Sequence, residues 1–169
     1  MKIAILGYSG SGKSTLAKYL ADAYGIPLLY LDRVQFEANW QVRDSQQARA
    51  IVRDFMRQTD WVIDGNYMRF YRQERLEQAD QIILMLFNRF SALRRIIRRN
   101  QEFRGRTRES MADGCAEKLD AEFLWWILFL GRTPAKMRDY HQLMRQYGSK
   151  VTVIRNQHQL DRFMASVSC

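Results

Sequence analysis

Nothing in the chain limits its possible folds more than Gly7-Tyr8-Ser9-Gly10-Ser11-Gly12-Lys13-Ser14-Thr15. This stretch matches the phosphate-binding pattern G-x-x-x-x-G-K-[ST] at every defined position. Its flanks agree with it. Ile3-Ala4-Ile5-Leu6 is an apolar run of buried-strand length, and Leu16, Tyr19, Leu20 and Ala23 follow at helical spacing. A loop that turns successive backbone N–H groups inward around polyphosphate oxygens needs residues that tolerate positive φ, as Gly7, Gly10 and Gly12 do. The helix opening near Gly12 adds the positive end of its dipole. Ser9, Ser11 and Thr15 complete the loop, Lys13 supplies charge for β/γ-phosphates, and the Ser14 hydroxyl is placed to ligate Mg²⁺. The expectation is a site for ATP with Mg²⁺.

A chain of 169 residues supports one α/β domain, here 1–169, and leaves little room for a second. No repeat or low-complexity linker divides it. The first strand begins almost at Met1, so no secretory segment is expected before it, and the apolar run Phe123–Leu130 is too short to span a bilayer. Cys115 and Cys169 form no metal or redox spacing, which points to a reducing, cytoplasmic setting. The net charge of +9 is concentrated. Arg89, Arg94, Arg95, Arg98, Arg99, Arg104, Arg106 and Arg108 face a single acid, Glu102, in one stretch. Such a run suits either a nucleic-acid backbone or a pocket for several phosphate groups.

Along the chain, Pro27–Leu31 reads as a second buried strand with Asp32 at its carboxyl end, where ligands of open α/β sheets sit. A turn-forming or helix-capping Asp is the alternative. Phe36 and Trp40 suit packing or, with Tyr30, the flanks of a flat acceptor ring. Asp44 or Ser45 can cap the next helix. Trp61-Val62-Ile63-Asp64-Gly65-Asn66-Tyr67 reads as a third strand ending in a carboxylate, with Asp64 the expected partner of Mg²⁺. Gly65, Asn66 and Arg69 are candidates for the substrate side, and Arg69 and Arg72 are placed to reach an acceptor anion. A fourth strand covers Gln81–Phe87. Ser91 is placed to cap the arginine helix, whose core face is Leu93, Ile96 and Ile97. Arg95 shares a face with Arg99, and Arg94 with Arg98. Arg104–Asp113 has the composition of a flap, within a lid of about 100–120, and Glu122–Leu130 that of an apolar helix. Thr133-Pro134 starts another helix, Lys150–Ile154 is the fifth strand, and Arg155-Asn156 precede the last helix.

In that order, these elements resemble the nucleoside-monophosphate and shikimate kinase branch of the P-loop proteins. The loop, Asp32, Val62-Ile63-Asp64-Gly65 and an Arg-x-x-x-Arg helix before a flap resemble adenylate kinase. More closely, Gly7–Thr15, Tyr30-Leu31-Asp32, Trp40, Trp61–Tyr67 and Arg94–Arg99 are similar to the small kinases labelled "DNA topology modulation protein", over nearly the whole chain. The resemblance implies the α/β P-loop NTPase fold. Its parallel sheet would have five strands in the order 2-3-1-4-5, flanked by helices with a short lid. It also implies phosphoryl transfer from ATP to a small acceptor, with a nucleoside or nucleotide first among candidates. By that resemblance Arg95 flanks the adenine, Arg99 contacts phosphate, and the Arg155-Asn156 loop borders the base. Asp32 and Trp40 fall on the acceptor side. Asn66-Tyr67-Met68-Arg69 stands where adenylate kinases carry Phe-Pro-Arg, a departure that bears on how an AMP phosphate would be held. The competing reading is an NTP-binding regulator linked to nucleic acid, although no recognition motif accompanies the basic run, so nucleic-acid binding would be weak and non-specific. A signalling GTPase would need an Asn-Lys-x-Asp reader, which Asn156-Gln157-His158-Gln159 is not. No membrane partner is expected, and a monomer and a homodimer are both open.

Overall fold

A computed structural model describes residues 1–102, 109–112, 114–115, 124–125 and 128–167. Its centre is a five-stranded sheet in the order β2-β3-β1-β4-β5, all neighbours parallel. The strands are β1 (Lys2–Gly7), β2 (Leu28–Tyr30), β3 (Trp61–Asp64), β4 (Gln81–Met85) and β5 (Val151–Ile154). They are short, nearly continuous apolar runs because both faces of the sheet are covered. Alternation along β1 then sorts the core into two layers. Ala4 and Leu6 pack with Val52, Leu76, Tyr140 and Leu143 on one face. Ile3 and Ile5 pack with Leu16, Leu20 and Leu160 on the other.

The helices supplying those layers are α1 (Lys13–Tyr24), α2 (Leu31–Gln35), α3 (Ser45–Phe55), α4 (Arg72–Gln78), α5 (Arg89–Glu102), α6 (Pro134–Gln146) and α7 (Gln157–Val167). Local chemistry starts several of them as expected. Asp44 caps α3 by accepting from Gln46 N and Gln47 N, both at 3.0 Å. Thr133 accepts from Lys136 N ahead of Pro134 in α6.

Four expectations shift. The second strand ends at Tyr30, and Asp32 lies in the first turn of α2, closed by Phe36 N on Asp32 O. An acid suits a first helical turn as well as a strand end. The fourth strand stops at Met85. Asn88, not Ser91, caps α5, its Oδ1 accepting from Ser91 N at 2.9 Å. Finally, Ala92 joins Ile96 on the buried face of α5 while Ile97 is exposed. The reason is close packing. A Cβ on Gly10 would sit 2.4 Å from Ile96 Cδ1 and 2.9 Å from Ala92 O, so the 92–96 face of α5 lies directly on the glycine loop. The Arg104–Asp113 flap and the Glu122–Leu130 helix fall largely outside the described residues. Among those that are described, no helix is long and apolar enough to cross a membrane.

Candidate phosphate-binding site

The site forms where β1, β3 and β4 end. Gly7 has φ 140°, and a Cβ there would lie 2.2 Å from Met85 O, so the loop leaves β1 pressed against β4. Gly12 has φ 91°, with Arg95 Nη1 only 2.7 Å from where its Cβ would be. Any side chain at these two positions would meet both strained backbone and occupied space. Inside the loop the carbonyl of Tyr8 accepts from Ser11 N (3.3 Å), Ser11 Oγ (2.7 Å) and Lys13 Nζ (3.0 Å). Ser11 is fully buried, Ser9 is half-buried, and Thr15 is exposed at the start of α1.

Ser14 and Asp64 meet across the sheet, with Ser14 Oγ donating to Asp64 Oδ2 at 2.7 Å. Asp64 is buried at the end of β3, opposite Ile5. One hydroxyl and one carboxylate beside a phosphate cradle is a hard-oxygen donor set of the kind Mg²⁺ takes, since that ion draws its other ligands from phosphate and water. Among the described residues, no group of three or more His, Cys, Asp or Glu could form an all-protein cage. The donor set therefore fits Mg²⁺ together with a polyphosphate.

Asn66, expected on the acceptor side, instead braces the loop. Its Oδ1 accepts from Gly7 N at 3.0 Å and its Nδ2 donates to Gly7 O at 2.7 Å. Tyr140 of α6 donates its hydroxyl to the same Oδ1 at 3.4 Å and packs edge-on to Tyr8, ring centroids 5.4 Å apart. The amide replaces a backbone partner that Gly7 would otherwise lack in this part of the sheet. Gly65 (φ 141°) donates its N–H to Ile5 O, and its carbonyl accepts from Arg75.

Arg95 reaches the loop from α5. Nη1 donates to Ser11 O at 2.6 Å, Nη2 donates to Gln157 Oε1, and the guanidinium lies 4.1 Å from the centroid of Phe87. Burial lowers its pKa, and nearby Asp161 opposes the shift. Arg99, one turn further on the same face, is half-buried, whereas Arg94 and Arg98 are exposed. Arg155 and Asn156 lie beyond β5, but their polar groups start α7. Asn156 Oδ1 accepts from Gln159 N, and Gln159 Oε1 accepts from Arg155 N, a reciprocal cap. The side chains of Asn156 and Gln159 are thus engaged locally, and Gln157 is the residue of this loop that touches Arg95.

On the other side, Asp32 Oδ1 accepts from the Tyr67 hydroxyl at 2.7 Å. Trp40 is exposed, its ring edge-on to Phe36 at 5.3 Å, and its backbone N–H donates to Cys115 Sγ at 3.2 Å. Arg69 is exposed and stacks over Phe70 at 5.0 Å. Neither is joined to Asp32 by a described contact. Arg72 is held by Asp139 in a two-pronged pair at 3.1 and 2.6 Å, so it does not reach for an acceptor.

Two arginines that sequence reasoning passed over matter here. Arg132 donates to Phe87 O at 2.7 Å and lies over the Tyr8 ring at 4.1 Å, with burial lowering its pKa. The adjacent Thr133-Pro134 signal marks its position but not its contact. Arg75 is fully buried without a carboxylate in contact and donates to Phe70 O (2.8 Å), Gly65 O (3.3 Å) and Tyr67 O (2.9 Å). Burial draws its pKa down to about 10, so it remains charged at neutral pH.

Sheet, loop and flanking helices define the fold of P-loop kinases. Three solved structures share it. Shikimate kinase from Acinetobacter baumannii superposes with a TM-score of 0.59 at 18% identity, covering 98% of this chain and 89% of its own. Deoxyadenosine kinase from M. mycoides gives 0.60 at 16% identity, covering 100% of both chains. TT1252 from Thermus thermophilus gives 0.57 at 14% identity, with 99% and 95% covered. No family model matches the chain, and no curated protein matches it in sequence.

Proposed function

We propose that the protein is an ATP-dependent, Mg²⁺-assisted phosphotransferase acting on a small molecule, with a nucleoside or nucleotide as acceptor. The observation that carries this reading is the 2.7 Å pairing of Ser14 and Asp64 beside a glycine cradle in which Lys13 is already turned inward. Ser14 and Asp64 would hold Mg²⁺, whose charge, when bound, offsets that of the polyphosphate. Lys13 holds phosphate charge, and the loop N–H groups fix the chain of phosphates. Such catalysis is mainly positioning and electrostatic stabilisation.

Arg95, seated on Phe87 and bonded to Ser11 O, is the residue we assign to the nucleotide's base side, with Gln157 and the Arg155-Asn156 loop bordering it. Arg99 is assigned to phosphate. Asp32 is assigned to the acceptor, with Trp40 and Arg69 at its rim. On Tyr30-Leu31-Asp32 and Trp61–Tyr67 we group the chain with the kinases labelled "DNA topology modulation protein", in the cytoplasm. The exposed Arg94 and Arg98 offer any polyanion a face, on which we expect nucleic-acid binding to be weak and non-specific.

The test is a metabolite-library screen for stimulated ADP release from ATP–Mg²⁺. Stimulation by a nucleoside or nucleotide is expected. A protein that binds no ATP, yet binds DNA tightly at physiological salt, would replace this reading with the regulator.

A further inference from the structure

Asp32 and Tyr67 stand 35 residues apart and meet through one hydrogen bond, the phenol donating to Oδ1 at 2.7 Å. The contact is built from both sides. Leu31 is fully buried, and a Cβ on Gly65 would lie 2.8 Å from Leu31 Cβ, so the turn after β3 rests on α2 immediately before Asp32. Arg75 holds that turn by three carbonyls, one of them Tyr67's own. The Tyr67 ring packs on Phe70, with centroids 5.2 Å apart. Burial and the neighbouring Asp32 charge push the phenol's pKa up, so Tyr67 remains a donor throughout the working pH range. A phenol clamped in this way anchors Oδ1 and restricts how the carboxylate can turn. Among the described residues, Asp32 Oδ2 has no partner.

We propose that Tyr67 is a positioning residue that aims Asp32 at the acceptor, and that the acceptor group is a hydroxyl rather than a phosphate. The proposal rests on the kinase reading above. Three of the arginines around this turn are engaged elsewhere, while Arg69 is exposed at its rim and stacks on Phe70. Arg72 is paired with Asp139, Arg75 serves three carbonyls, and Arg43 is held by Val34 O and Glu37. A fixed carboxylate in their place repels a phosphate but accepts the proton of an alcohol. In the step, the acceptor oxygen bonds to the γ-phosphorus of ATP as its proton passes to Asp32 Oδ2. The bond from that phosphorus to the bridging oxygen breaks, ADP leaves, and Asp32 later returns the proton to water.

The experiment compares wild type, Tyr67→Phe, Asp32→Asn and the double variant. Nucleotide affinity is read with a fluorescent ATP analogue, and ADP release is followed with water, adenosine, 2′-deoxyadenosine and AMP as acceptors. Tyr67→Phe should leave analogue affinity and the acceptor KM nearly unchanged while kcat falls about 10- to 100-fold, the worth of one hydrogen bond to a charged group. Asp32→Asn should fall further, and the double variant no further than Asp32→Asn, because the two act as a unit. A nucleoside should be turned over in preference to AMP. Unchanged kcat in Tyr67→Phe, multiplying effects in the double variant, or preference for AMP would overturn the proposal. Binding of the analogue with no turnover of any acceptor, water included, would also count against an acceptor-activating pair. A wild-type protein that fails to bind the analogue would strike the kinase reading itself.

Discussion

The glycine loop and the turn at 65–70 follow neighbouring strands, β1 and β3, yet they are built in opposite ways. The loop is made from its own sequence. Its glycines take the positive φ values, and Tyr8 O gathers donors from Ser11 and Lys13, three and five residues on. The turn at 65–70 is made from a distance. A buried arginine in α4 satisfies its carbonyls, a tyrosine in it holds Asp32, and Asn66 braces the loop. The loop can carry a nucleotide wherever such a strand and helix occur. Under the proposal above, the turn is what would adapt this fold to its acceptor. Changes in the loop should therefore reduce chemistry with little loss of fold, and changes behind the turn should reduce both.

Arg75→Met breaks that comparison most severely. It keeps much of the side-chain volume but leaves three carbonyls without their donor, at about 3 kcal/mol in all. The urea midpoint should drop markedly at unchanged slope. Asn66→Ala sharpens it at the junction. Losing both bonds to Gly7 should cost about 1–2 kcal/mol and weaken nucleotide affinity several-fold, read by a thermal melt and an ATP-analogue titration. The smallest effect is expected on the outer face of α5. Arg94→Ala should leave stability within about 0.5 kcal/mol. It should only make the salt dependence of DNA binding shallower by about one unit, seen in titrations at two salt concentrations.

This contrast also explains what was legible in the sequence. Strands buried on both faces show up as apolar runs, so the five strands could be located, and the loop's spelling located the site. Boundaries were less visible, because Asp32 suits a helix start and a strand end equally well. The arginines were the least legible. Arg72 and Arg75 look like any charged helical face, yet one pairs with Asp139, 67 residues away, and the other is fully buried. Ile97 looks like core by residue type, but the face of α5 that meets the glycine loop carries Ala92 and Ile96 and leaves Ile97 exposed. Charge and hydrophobicity are local properties. Which carbonyl a guanidinium reaches is decided only when distant elements meet.

The central claim is that the loop at Gly7–Thr15 performs ATP chemistry through Lys13, and the direct measurement is ATP turnover by Lys13→Ala alongside its thermal melt. Lys13 is only partly buried and its Nζ donates to Tyr8 O within the loop itself, so the fold should survive its loss. The expected result is a melt close to wild type with turnover reduced by about 10²- to 10³-fold, the usual cost of one such electrostatic contact. A folded Lys13→Ala protein that turns ATP over at near the wild-type rate would contradict it.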